Sequence, residues 1–275
     1  MPLSLISIPT DTYALDGLYY EPDAPARGAA MVMHGNCMNF YTGAPKFLPP
    51  QLTRLGLAAL AFNRRGHDMV ATTNSRAVTG GSFQMTKDAI ADNRYAAGFL
   101  KERGFTAPII IGHSNGGMLS VRHVADHPET PALVLLSAHL GGRHVVPLAS
   151  KVGLLGGDRI DEVEAQARAM VADGHGAELM VLPGWWHVIT AESYLDYCAE
   201  LPDVLALAPR IMCPTLYIRG DKEPAHIYPA EEFAARAGGP CDVRIVKDCD
   251  HFYGGREDAI SEVVTGWLAD VLAKT

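Results

Sequence analysis

The sequence predicts an α/β fold, in which a mostly parallel β-sheet carries helices on both of its faces. Short runs that are almost continuously apolar recur along the chain, as expected of strands buried on both faces of a parallel sheet. These runs are residues 29–33, 58–62, 109–111, 133–136, 215–218 and 243–246. Longer segments with a helical period lie between them, and this alternation is typical of α/β proteins.

The C-terminal helix has the clearest pattern. Its apolar residues recur at i, i+3, i+4 and i+7 over three turns. They are Ile260, Val263, Val264, Trp267, Leu268, Val271 and Leu272. Another helix is predicted from about residue 83 to 103. Residues 5–9 and 12–20 predict an antiparallel pair at the sheet edge, with Asp16-Gly17 as a turn or bulge signal.

One long segment, residues 139–209, breaks the alternation. It holds one amphipathic pattern around residues 163–171, followed by the aromatic stretch LPGWWHVITAESYLDY. A segment of this length is too long for an ordinary loop. We therefore expect a core domain formed by residues 1–138 and 210–275, with a small helical insertion over residues 139–209.

Composition excludes several classes of protein. The chain has 275 residues, 48% hydrophobic and 20% charged, which is ordinary for a globular domain. Its formal net charge of −8 argues against a nucleic-acid binder, because no basic excess is present to neutralise phosphates. No apolar run approaches the ~18 residues that cross a bilayer, and no basic segment precedes the short apolar start, so we expect neither a membrane span nor a secretory signal. The five cysteines lack a C-x-x-C or zinc spacing and indicate isolated thiols in the cytoplasm.

The chemistry is predicted by PIIIGHSNGG, residues 108–117, which places G-x-S-x-G between a buried strand and a helical segment. At such a turn the central residue adopts a strained backbone, and Gly112 and Gly116 flank it because a Cβ there would collide with neighbouring elements. The turn would raise the Ser114 hydroxyl above the sheet as a nucleophile elbow. The alternative is a glycine-rich helix entry with Ser114 as its N-cap.

A serine nucleophile needs a base and a carboxylate that orients the base. His251 follows the last predicted strand, at the same sheet edge as Ser114, and is the candidate base; the alternative is a solvated loop histidine. The segment LYIRGDKEP ends another strand at this edge and offers Asp221 and Glu223. Either side chain could reach the imidazole, and the other would be a surface or loop-stabilising charge.

An oxyanion hole needs two preorganised N–H donors. The amide of Asn115, next to the nucleophile, is one candidate. The other is the amide of Asn36, in the loop MHGNCMNF after the strand at residues 29–33. The alternative for this loop is that His34-Gly35 forms only a tight turn.

These motifs together resemble the α/β-hydrolase superfamily, and the resemblance covers almost the whole chain. They are GHSNGG, H-G-N, NRRGHD at 63–68, G-D-x-E at 220–223 and D-H-F at 250–252. The resemblance implies an α/β-hydrolase fold with a helical lid from about residue 141 to 209, and the chain order serine, acid, histidine is that of the superfamily. In many members the acid stands three residues after the glycine of G-x-x-D, which places it on Glu223, with Asp221 as the alternate. Glutamate at this position departs from the usual aspartate.

The resemblance also excludes some relatives. Haloalkane dehalogenases and epoxide hydrolases of this superfamily carry Asp at the elbow, where this chain has Ser114. The H-G-N loop resembles that of the dehalogenases but implies no dehalogenation without the Asp nucleophile. Serine favours acyl chemistry on esters, thioesters, amides or lactones, or hydrolysis of a C–C bond.

Aromatic side chains of the insertion are the candidate substrate contacts. Trp185, Trp186, Tyr194 and Tyr197 offer large flat surfaces for an apolar or aromatic substrate. The alternative is that they pack the insertion onto the core. His187 is interpreted as a structural residue rather than a second base.

Arg64 and Arg65 follow the strand at residues 58–62. They could bind a substrate carboxylate, although structural salt bridges are the preferred interpretation.

The sequence therefore predicts a serine hydrolase that cleaves an ester or related acyl bond of a small to medium organic substrate through an acyl-enzyme. The alternatives are a C–C hydrolase of a diketone or dienone with the same triad, and a ligand-binding receptor without turnover. No metal or organic cofactor is expected. A small molecule is the expected partner, nucleic acids and membranes are not, and a homodimer is left open.

Overall fold

The computed structural model describes residues 1–73, 76–184 and 187–274. Its centre is an eight-stranded sheet, which confirms the predicted α/β fold. The strands of this sheet are β1 (Leu3–Ile8), β2 (Leu15–Tyr20), β3 (Gly28–Met33), β4 (Leu57–Phe62), β7 (Ile109–His113), β8 (Leu133–Leu136), β11 (Thr215–Gly220) and β12 (Cys241–Val246). Two short pairs accompany it, β5 (Ala71–Thr72) with β6 (Val78–Thr79), and β9 (Leu179–Val181) with β10 (Val188–Thr190).

The strand order in the large sheet is β1-β2-β4-β3-β7-β8-β11-β12. The first two pairings, β1 with β2 and β2 with β4, are antiparallel, and all the others are parallel. The predicted edge pair is therefore present, but Asp16-Gly17 is not its turn. Gly17 lies within β2, opposite Phe62, where a Cβ would stand 2.6 Å from the carbonyl oxygen of Ala61.

Helices cover both faces of the sheet. They are α1 (Ala44–Phe47), α2 (Pro49–Arg54), α3 (Thr86–Glu102), α4 (Asn115–Asp126), α5 (Val145–Lys151), α6 (Ile160–Ala172), α7 (Ala191–Ala199), α8 (Val204–Leu207), α9 (Ala230–Arg236) and α10 (Glu257–Leu272). One buried cluster joins the sheet to α3 and α4, and a second joins its other face to α2 and α10. Ile260, Val264 and Leu268 of α10 are fully buried, as the apolar spacing predicts.

The segment 139–209 contains α5 to α8 and the β9–β10 ribbon. It is anchored to the core at the N-terminus of α3, where the Asp196 carboxylate accepts hydrogen bonds from the amide and the hydroxyl of Thr86, at 2.7 and 2.6 Å. Ser82 adds a second anchor, since its hydroxyl donates to the carbonyl oxygen of Val188 at 2.5 Å.

Within the described ranges, no helix is both long and apolar enough to cross a membrane. All five cysteines are free thiols. No group of three His, Cys, Asp or Glu side chains in that part of the chain is arranged to hold a metal ion.

Candidate active site

The turn between β7 and α4 carries Ser114. Its φ of 56° and ψ of −120° are a left-handed conformation that costs a non-glycine residue about 1–3 kcal/mol. A Cβ on Gly116 would collide with the carbonyl oxygens of Met33 and His34. The end of β3 therefore packs directly on the start of α4, and the turn exposes the Ser114 side chain to a cavity at the carboxyl edge of the sheet.

His251 lies in the loop between β12 and α10. Its Nε2 is 3.0 Å from Oγ of Ser114, within hydrogen-bond distance. The neighbouring His113 donates from Nε2 to the carbonyl oxygen of His251 at 2.8 Å, and the two rings lie 4.8 Å apart. Burial, followed by the charge of His251, lowers the pKa of His113 to about 3, so this donor stays neutral.

Glu223 completes a chain of three side chains. Its Oε1 lies 2.7 Å from Nδ1 of His251. Its Oε2 accepts hydrogen bonds from the Ser137 hydroxyl at 2.5 Å and the Gly220 amide at 2.7 Å. The Ser137 hydroxyl is itself 2.6 Å from the Tyr253 hydroxyl. Both carboxylate oxygens of this buried residue are thus fixed by hydrogen bonds.

Asp221, the alternate acid, is placed elsewhere. Its exposed carboxylate accepts a hydrogen bond from the Cys249 amide at 3.2 Å. The amides of Asp248 and Cys249 hold the pKa of Asp221 below its usual range. Asp221 therefore stabilises the loop that carries His251.

The two candidate oxyanion donors both lie near Ser114. Asn115 is the first residue of α4, so its amide has no acceptor within the helix. Asn36 lines the cavity beside Ser114. A Cβ on Gly35 would stand 3.2 Å from the Ser114 Cβ, which shows how closely the loop after β3 approaches Ser114.

The cavity over Ser114 has a volume of about 310 Å³, near the lower end for small-molecule sites. Segment 139–209 contributes six lining residues, His139, Val145, Ala149, Leu154, Leu155 and Tyr197. The core contributes Met38, Ile227, Tyr228 and Phe252 besides the residues above. Asp, Glu, Lys and Arg are absent from the described lining. Burial lowers the pKa of His139 to about 3, so its ring is neutral at physiological pH.

Comparison with known proteins identifies the family. Residues 31–264, most of the chain, match the model of the Alpha/beta hydrolase family. The chain is an α/β-hydrolase. No curated protein matches its sequence.

Solved structures share the fold of this α/β-hydrolase at low sequence identity. The thermostable carboxyl esterase from Bacillus coagulans has a TM-score of 0.74 at 15% identity, over 98% of this chain and 99% of the esterase. Est1E from Butyrivibrio proteoclasticus, solved with ferulic acid bound, has a TM-score of 0.73 at 16% identity, over 98% and 99%. Dienelactone hydrolase from Anabaena variabilis has a TM-score of 0.60 at 15% identity, over 97% and 96%. At such low sequence identity, these similarities show only that the fold is shared.

The aromatic residues predicted to contact the substrate differ in where the structure places them. Trp185 and Trp186 lie outside the described residues. Tyr194 is buried and lines a small neighbouring cavity, where it lies with Asn36 and Tyr197 rather than on the wall of the larger one. Tyr197 lines both cavities, and its hydroxyl oxygen accepts a 3.5 Å hydrogen bond from the Asn115 side-chain amide.

The lining residues that sequence reasoning missed include three with aromatic rings, His139, Tyr228 and Phe252. Tyr228 packs its ring 4.9 Å from that of His251. His139 and Tyr228 follow β8 and β11 at the catalytic edge, and this position is the one signal that could have found them. Phe252 adjoins His251 and is half exposed beside the cavity.

The arginines have separate environments. Arg65 donates to Asp92 at 2.7 Å and to Asp11 at 3.0 Å, as structural salt bridges. Arg64 is fully buried, and its Nη2 donates to the carbonyl oxygen of His34. Burial lowers the pKa of Arg64 to about 10, so the guanidinium remains charged at neutral pH.

Proposed function

We propose that this α/β-hydrolase cleaves esters of small, uncharged, largely apolar substrates through an acyl-enzyme on Ser114. The observation that carries the proposal is the continuous chain from Ser114 Oγ to His251 at 3.0 Å and from His251 to Glu223 at 2.7 Å. Such a chain gives a serine hydroxyl its base and gives the base a fixed tautomer.

In the first half of the reaction, Ser114 Oγ attacks the ester carbonyl carbon as its proton moves to Nε2 of His251. The Nδ1–H of His251 donates to Glu223, which stabilises the imidazolium. The carbonyl oxygen becomes an oxyanion and accepts hydrogen bonds from the amides of Asn36 and Asn115. The C–O bond to the alcohol then breaks, His251 protonates the leaving oxygen, and the acyl group stays on Ser114.

In the second half, His251 takes a proton from water as the water oxygen attacks the acyl carbon. The new tetrahedral intermediate uses the same two amides. Its collapse breaks the bond to Ser114 Oγ, which regains a proton from His251, and the carboxylic acid leaves.

The cavity supports the substrate class. A charged substrate group there would lose its hydration and meet no opposite charge on the described lining, which is unfavourable. We assign residues 139–209 as a lid, because Val145, Ala149, Leu154, Leu155 and Tyr197 form one side of this cavity. Contact of Trp185, Trp186 and Tyr194 with the substrate stays a prediction.

A fluorophosphonate probe tests the nucleophile. We expect wild-type protein to be labelled on Ser114 and to hydrolyse p-nitrophenyl butyrate, and Ser114→Ala to lose both properties. Ser150→Ala, which alters a buried serine of α5, is the matched control and should keep both. Persistent labelling of the Ser114→Ala variant would refute the nucleophile assignment.

Two further measurements on the wild-type protein separate the alternative functions. Turnover of a β-diketone by a protein that cleaves no ester would favour C–C hydrolysis. Tight ligand binding without an acyl-enzyme in mass spectrometry would favour a receptor.

A further inference from the structure

The imidazole of His34 links two backbone groups behind the candidate oxyanion hole. Its Nε2 lies 3.0 Å from the backbone nitrogen of Arg64, an amide that can only donate. Nε2 must therefore be the unprotonated nitrogen, and the neutral ring carries its proton on Nδ1. Nδ1 lies 2.8 Å from the carbonyl oxygen of Gly35 and donates to it. Nη2 of Arg64, 3.4 Å from Nδ1, donates instead to the His34 carbonyl oxygen.

This hydrogen bond, together with a longer one of 3.3 Å from the Met38 amide to the same oxygen, fixes a peptide plane. The Gly35 carbonyl and the Asn36 amide belong to one trans peptide unit, in which C=O and N–H point in opposite directions. Holding the Gly35 oxygen against Nδ1 therefore sets the direction of the Asn36 N–H. A hydrogen bond accepted by a carbonyl also strengthens the N–H of the same peptide as a donor.

The ring itself has one protonation state at neutral pH. His34 is completely buried, and burial together with the nearby charge of Arg64 lowers its pKa well below the ordinary value. The Nδ1–H donor is therefore present throughout the working pH range of an esterase.

Arg64 adds a charge to this arrangement. Its Nε and Nη1 are buried and have no hydrogen-bond partner among the described residues. The Asp92 carboxylate, which pairs directly with Arg65, favours the Arg64 charge only from a distance, so this buried cation is incompletely compensated in the resting protein. Its charge becomes favourable when negative charge develops on an oxygen at the adjacent loop, which is how transition states are stabilised selectively.

We propose that His34, anchored by Arg64, is a positioning residue that holds the Asn36 amide toward the oxyanion on Ser114. The proposal rests on the proposed function, and it adds two residues that do not touch the reacting atoms. It also gives a reason for a histidine in the H-G-N loop, whereas a turn alone would not require an imidazole at position 34.

Two substitutions of His34 separate positioning from packing. The amide nitrogen of asparagine reaches the place of Nδ1, so His34→Asn can still donate to the Gly35 oxygen. In His34→Gln the amide reaches the place of Nε2 and the donor is lost. We expect the Gln variant to lose about 10–100-fold in kcat with KM changed less than about threefold, a part of the effect of deleting an oxyanion donor. The Asn variant should stay within about fivefold of wild type in kcat.

A trifluoromethyl ketone provides a second readout, because its adduct on a serine carries an oxyanion. Its Ki should rise in His34→Gln in proportion to the fall in kcat, and change little in His34→Asn. His123→Asn and His123→Gln, at a buried histidine of α4, are matched controls and should keep wild-type kcat. Equal losses of kcat in the two His34 variants, or a wild-type kcat in His34→Gln, would overturn the inference.

The Arg64→Met variant keeps the backbone N–H that donates to His34 and removes only the guanidinium. It tests the inference even if the His34→Gln variant does not fold. We expect an unchanged or higher Tm, because a buried charge without a hydrogen-bonded carboxylate is lost, and a kcat lower by about tenfold. Unchanged kcat would refute the role of Arg64. If the wild-type protein shows neither ester turnover nor labelling of Ser114, the proposed function itself is refuted. If the wild-type protein turns over esters normally and the His34 and Arg64 variants keep the same kcat, only this inference is refuted.

Discussion

The Glu223 carboxylate lies 2.7 Å from Nδ1 of His251 and is held from behind through its second oxygen. That oxygen accepts the hydroxyl of Ser137 and the amide of Gly220, so the carboxylate has one orientation available. Asp221, two residues earlier, binds the Cys249 amide instead. The two acidic side chains of one loop therefore have different roles. Glu223 faces the imidazole of His251, and Asp221 stabilises the loop that carries His251.

Glu223→Gln and Asp221→Asn should separate these tasks. Replacing the carboxylate that orients the imidazole should lower kcat by about 10³–10⁴-fold with little change in fold. Asp221→Asn should keep kcat within about threefold. Steady-state kinetics with p-nitrophenyl butyrate and circular dichroism on both variants provide the measurement. A larger loss in Asp221→Asn would transfer the acid role to Asp221.

The fold was predictable because each central strand of the sheet is a short apolar run. All residues of β4 are buried, as expected for a strand covered on both faces. The exception is β12, at the sheet edge, where only one neighbour is present and Ile245 remains exposed. The internal structure of residues 139–209 could not be predicted from the sequence. The β9–β10 ribbon and the hydrogen bonds of Asp196 to Thr86 depend on contacts between distant segments.

The arrangement of the candidate site was predictable where it depends on local geometry or on the sheet edge. Ser114 follows from the G-x-S-x-G turn, and His251 from its position after the last strand. The choice between Asp221 and Glu223 depends on how one loop folds against Ser137, which no local pattern records. The buried position of Tyr194 has the same cause, since packing within residues 139–209 decides which aromatic rings face the cavity.

Gly116→Ala should destabilise the protein, whereas Gly98→Ala should not. The new methyl at 116 would collide with the carbonyl oxygens of Met33 and His34, and such overpacking costs about 1–3 kcal/mol. Gly98, within α3, has no atom within 4 Å of the added Cβ, so alanine there should stabilise by about 0.5–1 kcal/mol. Urea unfolding at pH 7 measures both. A Gly116→Ala variant as stable as wild type would mean that β3 and α4 pack less closely than described.

Buried histidines should make stability fall as the solution is acidified. Burial and the charge of His127 lower the pKa of His123 to about 4, while the unfolded chain titrates near 6.5. The unfolded state therefore binds more protons between these values, so stability is lost as pH falls from about 6.5 to 4. His123→Gln should reduce the slope of unfolding free energy against pH by up to about 1.4 kcal/mol per pH unit. Urea unfolding at pH 5.0, 5.5, 6.0 and 6.5 tests this, and parallel slopes for the two proteins would contradict it.

Ala149→Phe should reduce the length of the acyl chain that the cavity accepts. Ala149 of α5 lines the cavity of about 310 Å³, and a phenyl ring there would occupy space that a long acyl chain needs. We expect kcat/KM for p-nitrophenyl octanoate to fall at least tenfold relative to the acetate, which needs little of the cavity. Val152→Phe, at an exposed position next to the same helix, is the control and should leave the ratio of the two esters unchanged. If Ala149→Phe also leaves the ratio unchanged, the acyl chain does not bind on the α5 side, and segment 139–209 would contact the alcohol instead.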